Sequence, residues 1–241
     1  MKAFLLAAGL GTRLKPLTDN KPKALVEVNG VPLIQIVIKR LIASGVDNLI
    51  INVHHFADKI IDFLRSQNYF GIDITISDER NNLLDTGGGL KKASWFFRNT
   101  NSFIVHNVDV ISGLQLNQLY TYQETNNKLA TLAVQQRESS RYLLFDEHKN
   151  LCGWRNEKSG EVKMARKPIG NLNHFAFSGI HAANPAIFEF FPDKNIFSLI
   201  DLFLKAAEEN QITYFDHSGS EFIDLGKKEN LDRAAEFLKS I

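Results

Sequence analysis

The chain has 241 residues, 44% hydrophobic and 23% charged, and its 28 Lys+Arg almost cancel 27 Asp+Glu to leave a formal charge of +1. That profile fits one soluble globular unit with a full core. It excludes binding of nucleic acid or an anionic membrane through a broad basic surface, which needs clustered cations to displace counterions, while leaving room for a local basic site that takes a small phosphate.

Cys152 is the single cysteine, so an internal disulfide and a Cys-x-x-Cys zinc site are both excluded and a reducing cytoplasm is the expected compartment. The apolar run Phe4-Leu5-Leu6-Ala7-Ala8 stops at Gly9, too short for a secretory signal, and nothing approaches the roughly 20 apolar residues of a membrane span. Ala3 to Ala8 therefore reads as a first strand. Next, Ile34, Val37, Ile38, Leu41 and Ile42 follow helical spacing between an opening Pro32 and a closing Gly45. A strand at Asn48 to Val53 precedes a helix carrying Phe56, Ile60 and Leu64, and strands follow at Ile72 to Ile76 and Ser102 to Val105. This alternation predicts a mostly parallel sheet covered on both faces, with ligands at the carboxyl ends of its strands.

The second half changes character. Leu129 to Val134, Tyr142 to Phe145, Leu151 to Trp154 and Phe175 to His181 read as strands with few helices between them, an antiparallel extension of a mixed sheet. Helical patterns return at Ile196 to Ala207 and at Leu231, Ala234, Ala235 and Leu238. Without linker, repeat or hexapeptide β-helix pattern, residues 1–241 are expected to form one α/β domain with at most a small substrate-side lobe. The phenylalanines at 96, 97, 188, 190, 191 and 203 fall within apolar patterns and read as core.

Chemistry concentrates after the first strand, in Ala8-Gly9-Leu10-Gly11-Thr12-Arg13 continuing to Lys21-Pro22-Lys23. Glycines let the backbone turn and bring its N–H groups close to a ligand. With one hydroxyl and the cations of Arg13 and Lys23, they make a phosphate cradle at a strand's carboxyl end. Two better-known phosphate motifs fail. The dinucleotide fingerprint needs a third glycine where Leu14 stands, and a P-loop needs Gly-Lys-Ser/Thr. Glu27 lies near the spacing of a ribose-binding acid, but Pro16 to Pro22 cannot be the regular helix such a fold requires.

Gly9 to Arg13 through Pro22-Lys23 resembles the signature of the sugar-phosphate nucleotidyltransferases. Asn107-Val108-Asp109 is similar to that family's Asn-Gly-Asp, with Val in place of Gly, and Phe222-Ile223-Asp224-Leu225-Gly226 to its late aromatic-x-Asp-x-Gly. Phe177-Ser178-Gly179-Ile180 corresponds to its sugar-facing segment, so the resemblance spans nearly the whole chain in the family's order. It implies a Rossmann-like nucleotide-diphospho-sugar transferase fold and transfer of a nucleotidyl group from a nucleoside triphosphate to a sugar 1-phosphate. It also implies Mg²⁺ on Asp109 and Asp224, and Arg13 and Lys23 on the phosphates. Further nucleotide contacts would come from Ala8, Gly9, Gly11, Thr12, Gly87, Gly88 and Asn107, and sugar contacts from Asn52, Ser178 and Gly179. These roles make physical sense: a sugar 1-phosphate is already an anionic nucleophile, so the reaction needs charge neutralisation and alignment more than a general base.

Asp85-Thr86-Gly87-Gly88-Gly89 looks like the Glu-Thr-Gly-Gly-Gly of N-acetylmuramate 1-phosphate uridylyltransferases more than the Gly-Thr-Ala-Gly of mannose 1-phosphate guanylyltransferases, with Asp85 replacing the Glu. Uridylyl transfer from UTP is the expectation; guanylyl transfer and cytidylyl transfer remain open. A non-catalytic nucleotide-sugar sensor would be expected to have lost the cations or the carboxylates, and this chain keeps all four. His54 and His55 adjoin without a metal spacing and read as surface residues, and Arg137 to Tyr142 reads as a solvated charged connection, at a place where members of the family it resembles often set residues over the sugar.

Overall fold

The computed structural model describes residues 1–126, 128–209 and 211–239. The chain builds two compact units. One comprises Met1–Leu83, His106–Leu116 and Ser220–Ile241, the other Leu84–Val105 and Asn117–Gly219. Among the described residues no helix is long and apolar enough to cross a membrane.

The first unit opens on β1 (Lys2–Leu6), then the short hairpin β2 (Glu27–Val28) and β3 (Val31–Pro32), helix α1 (Leu33–Ala43), β4 (Asn48–Val53), α2 (Ala57–Ser66) and β5 (Asp73–Asp78). β1 pairs in parallel with β4 and β4 with β5, so Leu6 lies beside Asn52 and Asn52 beside Ser77. Phe4, Leu5, Leu49, Ile50 and Ile51 are fully buried, as expected of a parallel sheet. Pro32 precedes α1 directly. At the other end Gly45 takes φ 93°, and the N–H groups of Gly45 and Val46 return to the carbonyls of Ile42 and Leu41, a Schellman ending that only glycine adopts without strain.

β6 (Phe103–Asn107) begins in the second unit and ends in the first. It leads to β7 (Val110–Ser112), which pairs antiparallel with the late β14 (Phe222–Asp224), and α6 (Leu231–Phe237) closes the unit. Leu14, Val26, Val28, Leu33, Ile111, Ile223, Leu225 and Ala234 form a separate core here. Because Leu14 and Val26 belong to it, both ends of the segment between Arg13 and Lys23 are anchored in apolar packing.

The second unit holds α3 (Asp85–Ala93), α4 (Leu116–Asn126), β8 (Ala130–Gln135), β9 (Arg141–Phe145), β10 (Leu151–Asn156), β11 (Val162–Met164), β12 (Asn173–Ala183), α5 (Leu199–Ala207) and β13 (Ile212–Asp216). β12 pairs antiparallel with both β8 and β9, β9 with β10 and β10 with β11, while β13 runs parallel to β8. The fold is thus α/β with a mixed sheet flanked by helices: β1, β4 and β5 of the first unit pair in parallel, and most strands of the second unit pair antiparallel. α5 starts three residues later than the apolar pattern suggests. Ser198 and Asp201 form a capping box that fixes its first turn. Phe97 and Phe203 are fully buried, with Phe97 stacked on Phe103 at 4.2 Å between centroids.

Candidate active site

β1 ends at Leu6, two residues before the expected limit, because the next two amides leave the sheet. The N–H groups of Ala7 and Ala8 donate to Asn52 Oδ1 at 2.7 and 3.3 Å. The chain then emerges at Gly9, which is exposed. A Cβ at Gly9 would meet nothing within 4 Å, so nothing within the protein demands a glycine there. Gly11 is different: it adopts φ 67°, and a Cβ would come within 3.0 Å of both Lys23 Cβ and Thr18 Cγ2. Its carbonyl accepts from Thr18 Oγ1 at 2.9 Å and from the Leu14 N–H at 2.9 Å, which folds the loop back on itself. Thr12 and Arg13 are exposed on this loop, whereas Lys23 is buried at 8% exposure.

Lys23 Nζ pairs with the carboxylate of Asp109. Asp109 follows β6 at a turn where the Val108 N–H donates to Leu6 O at 3.1 Å. Val108, standing where the family has glycine, is buried at 4% exposure and thus points its side chain into the protein. The Leu225 N–H donates to Asp109 O at 2.8 Å, which ties the backbone of one carboxylate residue to the neighbour of the other. Asp224 Oδ1 accepts from the Gly226 N–H at 2.7 Å, and Asp224 O from Asn230 Nδ2 at 2.7 Å. A Cβ on Gly226 would lie 2.8 Å from Asp224 Oδ1 and 2.9 Å from Arg13 Cζ, so the Arg13 guanidinium and the Asp224 carboxylate both border this glycine. Two cations and two carboxylates from three stretches of sequence therefore converge in the first unit.

The donor set suits a magnesium ion. Asp109 and Asp224 supply hard oxygens from adjoining backbone segments, and among the described residues no group of three or more His, Cys, Asp or Glu forms a closed cage. An ion that retains waters and takes phosphate oxygens is bound by one or two carboxylates in this way. Asn107, the remaining residue of that turn, is half-buried, and its carbonyl shares a hydrogen bond with His106 Nδ1 at 2.8 Å.

Other expected contacts are engaged elsewhere. Asn52, expected at the sugar, is 2% exposed, and besides the two amides on its oxygen it donates from Nδ2 to Glu79 Oε1 at 2.8 Å. Gly87 and Gly88 lie in the first turn of α3, and both donate their N–H to Phe197 O, at 2.9 and 3.1 Å, rather than presenting it to a base. Glycine is required there by packing: a Cβ on Gly87 would sit 2.5 Å from the Phe197 ring, and one on Gly88 would run into Asn195 O. Ser178, also expected at the sugar, is buried and shares a hydrogen bond with His217 Nε2 at 2.8 Å. Gly179, with φ 70°, makes the irregularity in β12 between Phe177 and His181. Burial pushes the His217 imidazole down to about 4, with Arg137 lowering it further and Asp216 opposing. Sequence reasoning missed Thr18, Glu79 and Asn230 as supports of the site, since each acts through a bond to a residue distant in the chain or around a turn.

The "Nucleotidyl transferase" family profile matches residues 2–241. The chain belongs to that family, among the sugar-phosphate nucleotidyltransferases. It is 33% identical over 216 residues to the N-acetylmuramate alpha-1-phosphate uridylyltransferase of Caulobacter vibrioides, covering 87% of this chain and 86% of that protein. It is also 29% identical over 248 residues to the mannose-1-phosphate guanyltransferase of Yarrowia lipolytica, of which the matched region covers 65%. In fold it is similar to a putative glucose-1-phosphate thymidylyltransferase from Bacillus anthracis, solved in complex with a sucrose, with a TM-score of 0.82 at 20% identity over 100% of this chain and 96% of that one.

Proposed function

We propose that this protein transfers a uridylyl group from UTP to N-acetylmuramate 1-phosphate, acting as one cytoplasmic nucleotidyltransferase module that requires Mg²⁺. The observation that carries the transfer chemistry is the convergence of Arg13, Lys23, Asp109 and Asp224 beside the Ala8 to Gly11 turn. The preference for uridylyl and for N-acetylmuramate is supported by 33% identity across most of both chains to an enzyme of that name.

In this reading a phosphate oxygen of the sugar 1-phosphate attacks the α-phosphorus of UTP. A new P–O bond forms as the bond from the α-phosphorus to the bridging oxygen breaks, and pyrophosphate leaves with the electron pair. Arg13, exposed at the lip of the loop, binds the triphosphate. Lys23, released from Asp109 when phosphate oxygens arrive, stays at the reacting centre and stabilises charge there. Asp109 and Asp224 would hold the magnesium ion, which supplies neutralisation of the phosphate charge as it moves toward the leaving group. The open space around Gly9 lets the triphosphate approach the backbone closely. The direct test is pyrophosphate release with UTP, GTP, CTP and dTTP against N-acetylmuramate, mannose and glucose 1-phosphates. Turnover of GTP with mannose 1-phosphate and none of UTP would overturn the uridylyl assignment.

A further inference from the structure

Asn52 and Glu79 form a buried relay whose polarity is fixed at every link. The amides of Ala7 and Ala8 can only donate, so the side-chain atom facing them must accept, and it is Asn52 Oδ1. The Asn52 Nδ2 can only donate, so the atom facing it must accept, and it is Glu79 Oε1. Glu79 is itself 1% exposed and held by its own backbone: its N–H donates to Val53 O at 2.8 Å, and its carbonyl accepts from the Asn82 N–H at 3.0 Å and lies 2.7 Å from His54 Nδ1. A carboxylate is costly to bury without such partners, and charge strengthens the bond it accepts.

The two amides at the end of this relay belong to the residues immediately before Gly9. Their peptide planes decide in which direction the chain leaves β1, hence where the backbone of Ala8 to Gly11 stands. Parallel pairing has ended there, since the β1 ladder stops at Leu6 opposite Asn52, so a side chain replaces the missing strand neighbour. We propose that Asn52 and Glu79 are positioning residues for the nucleotide: they orient the Ala7 and Ala8 peptides that form its binding wall, and Asn52 does not touch the sugar.

The test inverts the polarity of the relay. Asn52→Asp sets a carboxylate against the Glu79 carboxylate. Adding Glu79→Gln restores a donor opposite the new acceptor while the other Asp oxygen still takes both amides, with the total charge of the pair unchanged. In steady-state kinetics with UTP, N52D is expected to raise KM for the nucleotide about tenfold or more while kcat changes less than about threefold, the pattern of lost uniform binding. The N52D/E79Q pair is expected to return KM to within about threefold of the parent enzyme. Hydrogen exchange of the peptide spanning residues 3–10 should quicken in N52D and recover in the double variant. An unchanged nucleotide KM in N52D, a double variant no better than N52D, or a loss falling on KM for the sugar 1-phosphate would each overturn the proposal. Should N52D fail to fold, the double variant decides alone: a folded enzyme with near-parental nucleotide KM supports the relay, and one without it refutes it. The inference rests on the Ala8 to Gly11 turn being a nucleotide wall. Failure of that reading appears as parent protein without affinity for any triphosphate, and failure of the relay as parent affinity that N52D leaves intact.

Discussion

Replacing Gly226 with alanine separates catalysis from stability at a single atom. The added Cβ would stand 2.8 Å from Asp224 Oδ1 and closer still to Arg13 Nη2, against an ordinary contact distance of 3.4 Å or more, so the carboxylate must retreat by roughly half an ångström and the guanidinium by about 1 Å. Neither clash involves backbone, and Gly226 is not among the residues with positive φ, so alanine fits the main chain. Its effect on the unfolded chain is mildly favourable. The fold should therefore lose at most about 1 kcal/mol, a shift of about 2–4 °C in Tm for a chain of this size. Catalysis is less forgiving, since a displacement of about 1 Å at a reacting centre costs on the order of 10²-fold. Displacements of about half to one ångström, imposed on Asp224 and Arg13, should lower kcat about 10- to 100-fold, equivalent to about 1.4–2.7 kcal/mol of barrier. Pyrophosphate release together with a thermal melt measures both quantities. Parental kcat in a variant of parental Tm would refute the claim that the placement of Arg13 and Asp224 beside this glycine matters to catalysis.

Asp109→Asn keeps the shape and an acceptor for Lys23 but removes the charge that would hold magnesium. Turnover should fall by about 10³-fold or more with Tm nearly unchanged, and full activity at saturating Mg²⁺ would exclude the metal role. Gly88→Ala forces a Cβ against the carbonyl of Asn195, which is backbone and cannot swing aside, so it should destabilise the protein by about 1–3 kcal/mol in urea melts; a neutral result would contradict the close approach of α3 to that segment. Acid should destabilise the protein well above the carboxylate range. Burial holds His106 and His181 down at about 3 and His217 at about 4, with Arg40 also lowering His106 and Asp109 opposing. The unfolded histidines titrate near about 6.5, so the unfolded state binds more protons between that value and the native ones. Their contribution is complete above about pH 6.5 and is lost as pH falls toward the native values, at up to about 1.4 kcal/mol per pH unit from each. Equal stability at pH 5 and pH 7 in urea melts would refute this.

Much of the fold was legible because its signals were local. The α1 helix lies between Pro32 and Gly45 as its punctuation indicated, and the strands at Asn48–Val53 and Phe103–Asn107 carry continuous apolar runs. α4 was not read, and the reason is Gln123. It occupies the buried face one turn beyond Leu119, donating to Lys128 O and accepting from Thr131, so a hydrogen-bonding residue stands where the periodicity needed an apolar one. β7 and β14 are three residues each and acquire meaning only by pairing across more than a hundred residues. The charged groups of the site announced themselves by type and motif. Their supports did not: Thr18, Glu79 and Asn230 look like ordinary turn and strand-end residues until their partners are placed. The glycines at 87 and 88 and the serine at 178 also have partners within the protein that their motifs did not announce, in Phe197, Asn195 and His217.

The pairing of β7 with β14 has a consequence for how the protein comes into being. Ile223 faces Ile111 across the two strands, both buried, and this register sets Asp224 opposite Val110, one residue from Asp109. A slip of one position would turn Ile223 to water and carry the Asp224 carboxylate to the wrong side. Apolar packing thus acts as a ruler for the spacing of the two acids. During synthesis the ruler is incomplete until Phe222 to Asp224 have left the ribosome, although Arg13, Lys23 and Asp109 emerged long before. A growing chain therefore carries Arg13 and Lys23 for most of its synthesis without the paired carboxylates, and the four charged groups can come together only once that small core closes.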